Sequence, residues 1–362
     1  MSASVPGGEI KCLTALRGIA AMAVVIEHFS ATAEHHAAVS VPSVVAHGYL
    51  AVDLFFVLSG FIMGYTYLAA FEANGIRAFP GFLAKRVARI VPLNVVVLFL
   101  IMLAGAVSSA TLGKNLFFES NNLPFDLLAN LLLLQGLGIG LNLNGPSWTI
   151  STEFAAYLIF PGFLWLMFNR RAVIAVIGFI IATLTLCGIA SLHTRFGLDT
   201  GSIWQGLGRC LTQFTMGLGV YAVYRRRASM QWLARDSVVA IVAVTIAVFL
   251  LLRIDLFSVL PFSALILCLA CNNGHAARLL STRVPYFLGV VSYSIYLIHN
   301  MFRPVELELV RWLHPALLSL PQALAFALVG SLSVIPFSWL AFRFVERPGR
   351  NIVRRLFAGA QQ

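Results

Sequence analysis

PFDLLANLLLLQGLGIG, residues 124–140, decides how this chain is threaded. The stretch is apolar enough to enter a bilayer, and whether it crosses sets the side on which every later basic loop falls. A crossing would put Arg170 and Arg171, then Arg225, Arg226 and Arg227, opposite Lys85, Arg86 and Arg89. A segment that dips in and returns, or lies along the interface, brings all of them to one side, together with Arg278, Arg283 and the tail from Arg343 to Arg355. Basic residues concentrate in cytoplasmic loops, so the second arrangement is expected, with both termini cytoplasmic.

The membrane itself follows from composition. With 362 residues, 59% hydrophobic and only 11% charged, and a mean hydropathy of +0.88, the chain has too little polar surface for a soluble globule. Apolar runs long enough to cross occur near 13–33, 48–69, 90–110, 148–168, 172–191, 203–224, 237–253, 255–271, 284–302 and 317–342. The expected fold is therefore an all-α polytopic membrane bundle of about ten transmembrane helices, with residues 124–140 re-entrant or interfacial. A single domain is expected over 1–362, its helical core at 10–345 and a basic cytoplasmic tail at 346–362. The opening MSASVPGGEIK holds one basic residue and no small-residue cleavage pattern follows, so the first helix is expected to stay.

The net charge of +11 does not indicate nucleic-acid binding, because the basic residues lie in short loops between apolar runs. The five cysteines are odd in number. Cys268 and Cys271 have metal or redox spacing but lack a second pair, which points to packing. Neither the AEHH run (Glu34, His35, His36) nor GLGIG carries the context of a metal or phosphate site, and no metal is expected.

Ionisable residues inside apolar runs are the strongest functional signal, because each costs free energy unless it faces protein or water. Arg17 and His28 are eleven positions apart on the first run, three turns plus roughly 20°, and so share a face about 16 Å apart. Asp53 enters the second run at a depth similar to His28 and is a candidate to orient that imidazole. Trp148 and Glu153 start the fourth run, Arg209 is a plausible partner for Glu153, and Tyr293 and His299 lie on the ninth. Such depth-matched groups suggest a shared polar cavity. Lys85, Arg86 and Arg89 meet on one small surface, where they act either as lipid anchors or as a clamp for a phosphate-bearing donor.

The motifs LTALRGIAAMAVVIEH, VDLFFVLSGFIMG, FLAKRVARIVPL, PSWTISTEFAAYLIFP, SYSIYLIHN and FRFVERP, in this order along the chain, resemble those of the acyltransferase-3 family of integral-membrane O-acyltransferases. The resemblance implies a ten-helix fold that moves an acyl group, usually acetyl from acetyl-CoA, to a hydroxyl of a glycan or lipid-linked sugar. Its motif residues map onto Arg17 and His28 and onto Arg86 and Arg89, and it implies His28 as the catalytic histidine; together with the reading of the residues above, Arg17, Arg86 and Arg89 are the expected donor-binding residues, His28 the base or transient acyl carrier, and Asp53 and Glu153 the other expected catalytic residues. Trp148, Arg209, Tyr293 and His299 are the expected substrate-binding residues. Partners would be acyl-CoA, the acceptor and membrane lipids, in a bacterial inner membrane. Some relatives add a soluble esterase-like domain; the chain given ends at Gln362 without one, so it is expected to complete transfer unaided or with a separate partner. A transporter or flippase is the rival reading, since intramembrane charges also mark transport paths.

Overall fold

The computed structural model describes residues 8–34, 40–168, 173–191, 198, 203–227, 230–313 and 318–359. Arg170, Arg171, His35 and His36 lie outside the described residues. The helices are α1 Lys11–Glu34, α2 Ser43–Ala46, α3 Ala51–Asn74, α4 Phe79–Leu112, α5 Leu123–Leu131, α6 Ser147–Phe168, α7 Val173–Ser191, α8 Ile203–Tyr224, α9 Asp236–Leu252, α10 Asp255–Cys271, α11 His275–Leu280, α12 Arg283–Ile298, α13 Arg303–Leu313, α14 Leu320–Ala341 and α15 Arg347–Gly359. The helices α1, α3, α4, α6 to α10, α12 and α14 correspond one for one to the ten apolar runs, although α9 and α10 have only 17 residues and α12 only 16. Bulky side chains such as Phe99, Leu103, Ile181, Leu184, Val244 and Val329 stay exposed on them, as an apolar solvent requires. The protein is an all-α membrane bundle.

Residues 124–140 do not form a spanning helix. Only nine residues are helical in α5, about 14 Å of rise against a hydrocarbon core of about 30 Å. The chain then reverses through Leu133 (φ 58°), a short 3-10 turn at Gln135–Leu137, and the left-handed Gly138 and Gly140. Irregular backbone at this depth needs partners inside the protein. Asn130 supplies several: its amide nitrogen donates to the Asp126 and Leu141 carbonyls at 2.7 and 2.6 Å, and its side-chain oxygen accepts from Leu143 N at 3.2 Å. Asp126 accepts from Leu141 N at 2.7 Å, and Ser151 Oγ accepts from Gly136 N at 3.0 Å.

The chain divides into two compact units. The first comprises residues 1–20, 49–82 and 155–290; the second comprises 21–48, 83–154 and 291–362. In the first, α3 and α8 cross so closely that a side chain on Gly60 or Gly217 would meet the opposing backbone carbonyl of Phe214 or Val57. Small residues at a crossing let two helices approach where no water drives them together. At one end of this unit Tyr65 donates to the Gly8 carbonyl at 3.0 Å, Arg225 pairs with Glu72 at 3.2 Å, and Arg227 covers the Tyr224 ring at 4.2 Å. The first described residues and the Arg225–Arg227 loop thus share one end, as the charge pattern requires.

α4, which the second unit holds from Leu83 onward, is 34 residues long, about 51 Å, more than an apolar layer of about 30 Å requires, and Lys85, Arg86 and Arg89 lie in its opening turns. The basic tail is helical through Gly359. It forms α15, whose Gly349 packs on Pro92 of α4.

Candidate active site

The second unit carries a polar line along its interior. At one end Arg86 and Arg89 are half-buried on α4, while Arg350 of α15 lies within electrostatic reach of both and of Arg354. Buried Glu346 fixes Arg350, accepting from its guanidinium and from Ser294 Oγ, the latter at 2.7 Å. One helical residue earlier on α12, Tyr293 donates to the Ile90 carbonyl at 2.8 Å and feels the charges of Glu346, Arg89, Glu153 and Arg350. A turn further on, Tyr296 accepts from Thr149 Oγ1 at 2.9 Å. Glu153 thus sits one turn along α6 from Thr149, as Tyr293 sits one turn along α12 from Tyr296. Trp148 is half-buried in the first turn of α6, its carbonyl packed on Gly136.

The line ends at two imidazoles. His28 Nδ1 and His299 Nε2 are 2.7 Å apart, with the rings stacked at 5.0 Å between centroids. In the tautomer that puts the His299 proton on Nδ1, 3.3 Å from the Ile295 carbonyl, which only accepts, Nε2 accepts from His28. Neutral His28 is then left with a lone pair on Nε2, and Glu27 Oε2 stands 3.4 Å away, placed to balance the charge once that nitrogen takes a proton. His299 is fully buried, whereas the His28 side chain keeps 27% exposure, so the basic nitrogen belongs to the more accessible ring.

Beyond the histidines, Thr32 donates to the His28 carbonyl at 3.0 Å and accepts from Arg303 Nε at 3.2 Å. Glu306 is buried near Phe29 and Gly330, and neither of its carboxyl oxygens has a hydrogen-bond partner among the described residues. Burial pushes its pKa up to about 8, partly offset by Arg303.

A family model described as an acyltransferase domain matches residues 10–343. The chain belongs to the acyltransferase-3 family. It is an enzyme that moves acyl groups other than aminoacyl groups. The Acyltransferase MdmB of Streptomyces mycarofaciens is 27% identical over 317 residues, covering 81% of this chain and 79% of that protein. The Peptidoglycan O-acetyltransferase OatA of Listeria monocytogenes is 23% identical over 94% of this chain, which spans only 56% of OatA's length. No solved structure gives a significant match.

In this acyltransferase-3 chain the sequence-expected residues separate into two groups. His28, His299, Tyr293, Glu153, Trp148, Arg86 and Arg89 all belong to the second unit. Asp53 and Arg209 belong to the first, and their expected partners need correction. Asp53, expected to orient His28, accepts from Arg209 Nε at 2.7 Å, from a second nitrogen of the same guanidinium and from Gln213. Arg209, expected beside Glu153, is bound there and to the Leu198 carbonyl at 2.8 Å. The same Leu198 donates its N–H to Asp255 at 2.8 Å, so the network clasps the backbone between helices. Arg17 donates to the Gly289 carbonyl at 3.1 Å beside the close crossing of α1 and α12. Sequence reasoning gave no site role to Glu27, Arg303, Glu306 or Arg350. Only Glu27 carried a visible signal, a carboxylate in an apolar run.

Proposed function

We propose that this protein is an integral-membrane O-acyltransferase that takes an acyl group, normally acetyl, from acyl-CoA at the arginine end of the second unit and transfers it to a hydroxyl of a glycan or lipid-linked sugar at the histidine end. The single observation that carries the reading is the His28–His299 pair, which leaves His28 Nε2 as a base with Glu27 beside it. Guanidinium forks suit phosphate oxygens, so Arg86 and Arg89, with Arg350 alongside, bind the phosphates of the donor. Arg17 is a further donor ligand on the strength of the family motif. The acyl arm follows the line of Tyr293 and Glu153 toward His28, and Trp148 helps shape the acceptor's side of that path. His28 Nε2 takes the acceptor hydroxyl proton as the oxygen attacks the thioester carbonyl; the C–S bond breaks, and the proton passes to the departing CoA thiolate. His299 holds the His28 ring in its reactive tautomer.

The arginine end faces the cytoplasm of a bacterial inner membrane in this reading, because that is where acyl-CoA is found and where basic residues collect. Purified protein in vesicles, given labelled acetyl-CoA and a glycan extract, should label the glycan. Movement of unmodified glycan across the vesicle without acylation would instead make the polar line a transport path.

A further inference from the structure

Past His28 the second unit holds a cavity of about 340 Å³, within the range of small-ligand sites, about 300–1,000 Å³. Thr32, Lys114, Asn115, Asn300 and one side of α13, with Arg303, Glu308 and Arg311, form its walls. Two of these tie it to the imidazoles: Asn300 directly follows His299, and Thr32 is one turn beyond His28 and bonded to its carbonyl.

The charges do not cancel. Lys114 and Arg311 share one carboxylate, Glu308, at 3.0 Å each. Arg303 makes no ion pair among the described residues, and its hydrogen bonds go to the neutral oxygens of Thr32, at 3.2 Å, and Asn300, at 3.5 Å. In the cavity walls, three cations therefore face one anion. Their value as stabilisers is small, because Lys114 and Arg311 are about half exposed and such pairs contribute little. Nor does a neutral sugar require them: Asn115, Asn300 and Glu308 already supply donors and acceptors for hydroxyls. A guanidinium and an ammonium set around a pocket match carboxylate or phosphate oxygens.

We infer that this cavity holds the acceptor by an anionic group, a carboxylate or phosphate carried on the hydroxyl-bearing glycan, and so selects acidic acceptors over neutral ones. The inference rests on His28 as the transfer centre. It is nevertheless tested by binding, which needs no turnover. Glucuronate, glucose 1-phosphate, glucose and glycerol 3-phosphate would be titrated into the purified full-length chain in detergent at fixed salt. At least one acidic sugar should bind ten times or more tightly than both glucose and glycerol 3-phosphate, and the better of the two names the anion. Lys114→Gln and Arg311→Gln, at half-exposed positions that tolerate substitution, should each erase most of that advantage. Arg225→Gln, which removes a cation paired with Glu72 elsewhere, should leave it intact. Equal binding of glucose, equal binding of glycerol 3-phosphate as a bare lipid headgroup would offer, or a preference that survives both cavity substitutions would overturn the inference. Failure of acyl transfer to every acceptor with the binding preference intact would refute the role of His28 and leave the cavity's assignment standing.

Discussion

Asp53–Arg209 and His28–His299 are both ionisable pairs on apolar helices, yet they are finished to different degrees. In the first the charges are met: Asp53 and Arg209 are 0% and 3% exposed, the carboxylate takes the guanidinium and the Gln213 amide nitrogen, and the Leu198 carbonyl accepts from Arg209, which leaves Gln213 Oε1 as the one oxygen of these groups without a hydrogen-bond partner among the described residues. The second is open: His28 is partly exposed, Arg303 lacks an ion pair, and Glu306 has no hydrogen-bond partner among the described residues. A buried charge whose partners are all protein groups fixes architecture, and removing one partner is costly. A polar cluster with vacant valences beside a cavity is where a reactant can supply the missing partner. On the proposed function the contrast puts chemistry in the second unit and support in the first, and the expected outcomes that follow can break it.

The largest effect is expected at His28. His28→Ala should lower acyl transfer by about 10²- to 10⁴-fold, the usual contribution of a positioned general base. The variant should still be monodisperse in detergent and bind CoA, because the arginine cluster lies several turns away. Near-normal transfer by the folded variant would move the base to another residue, His299 first.

Asp53 should fail in the opposite manner. Asp53→Ala strands a buried guanidinium, at a cost of about 3–5 kcal/mol, so the expected outcome is loss of folded protein on extraction and a lowered thermal midpoint. The fraction that folds should keep its turnover per molecule. A stable Asp53→Ala protein with abolished transfer would return Asp53 to the reacting centre and erase the distinction between the two pairs.

Smaller again is the effect at the arginine end. Arg86→Ala or Arg89→Ala should weaken acyl-CoA binding by about ten- to hundredfold, since a charge-assisted phosphate contact contributes about 1.5–3 kcal/mol. Lysine at either site should rescue only part of this, lacking the fork. Arg350→Gln should weaken binding in the same direction, which distinguishes a shared phosphate site from a lipid anchor on α4 alone. Unchanged CoA affinity in all three variants would leave these residues with a topological role.

The helices were legible because apolar length is a one-dimensional property, and the ten runs needed nothing beyond it. Residues 124–140 were legible only indirectly. Their own hydropathy suits a span, and the basic loops elsewhere argued against it; the partners that make a turn tenable there, such as Asn130, bond across the fold. Arg17 and His28 could be placed on one face because a helix fixes both angle and rise. Pairings across helices could not be read in this way. Depth alone matched Asp53 to His28 and Arg209 to Glu153, but depth does not specify which helices are neighbours, and the structure joins α3 to α8 instead. Arg350 was hidden by a sufficient simpler explanation, since a basic tail is expected on topological grounds. Glu306 was hidden similarly, because a glutamate in the charged helix α13 looks solvated until the turn that buries it is known.

Glu306 gives the finest test of the open pair, through pH. Burial raises its carboxyl from 4.5 to about 8, with Arg303 pulling the other way. The folded state therefore holds a proton that the unfolded chain has released over most of that interval, and stability must fall as pH rises through it. The contribution is fully present below about 4.5, declines toward about 8 and is flat above. The slope would be on the order of 1 kcal/mol per pH unit at most. Thermal unfolding in detergent across this range should show the decline in the parent protein, and Glu306→Gln, which keeps the shape and cannot ionise, should flatten it. A parent curve that rises with pH over the same window, or one that Glu306→Gln leaves unaltered, would mean that Glu306 is ionised in the fold and paired with Arg303. The charges of the cluster beyond His28 would then be met as those around Asp53 are.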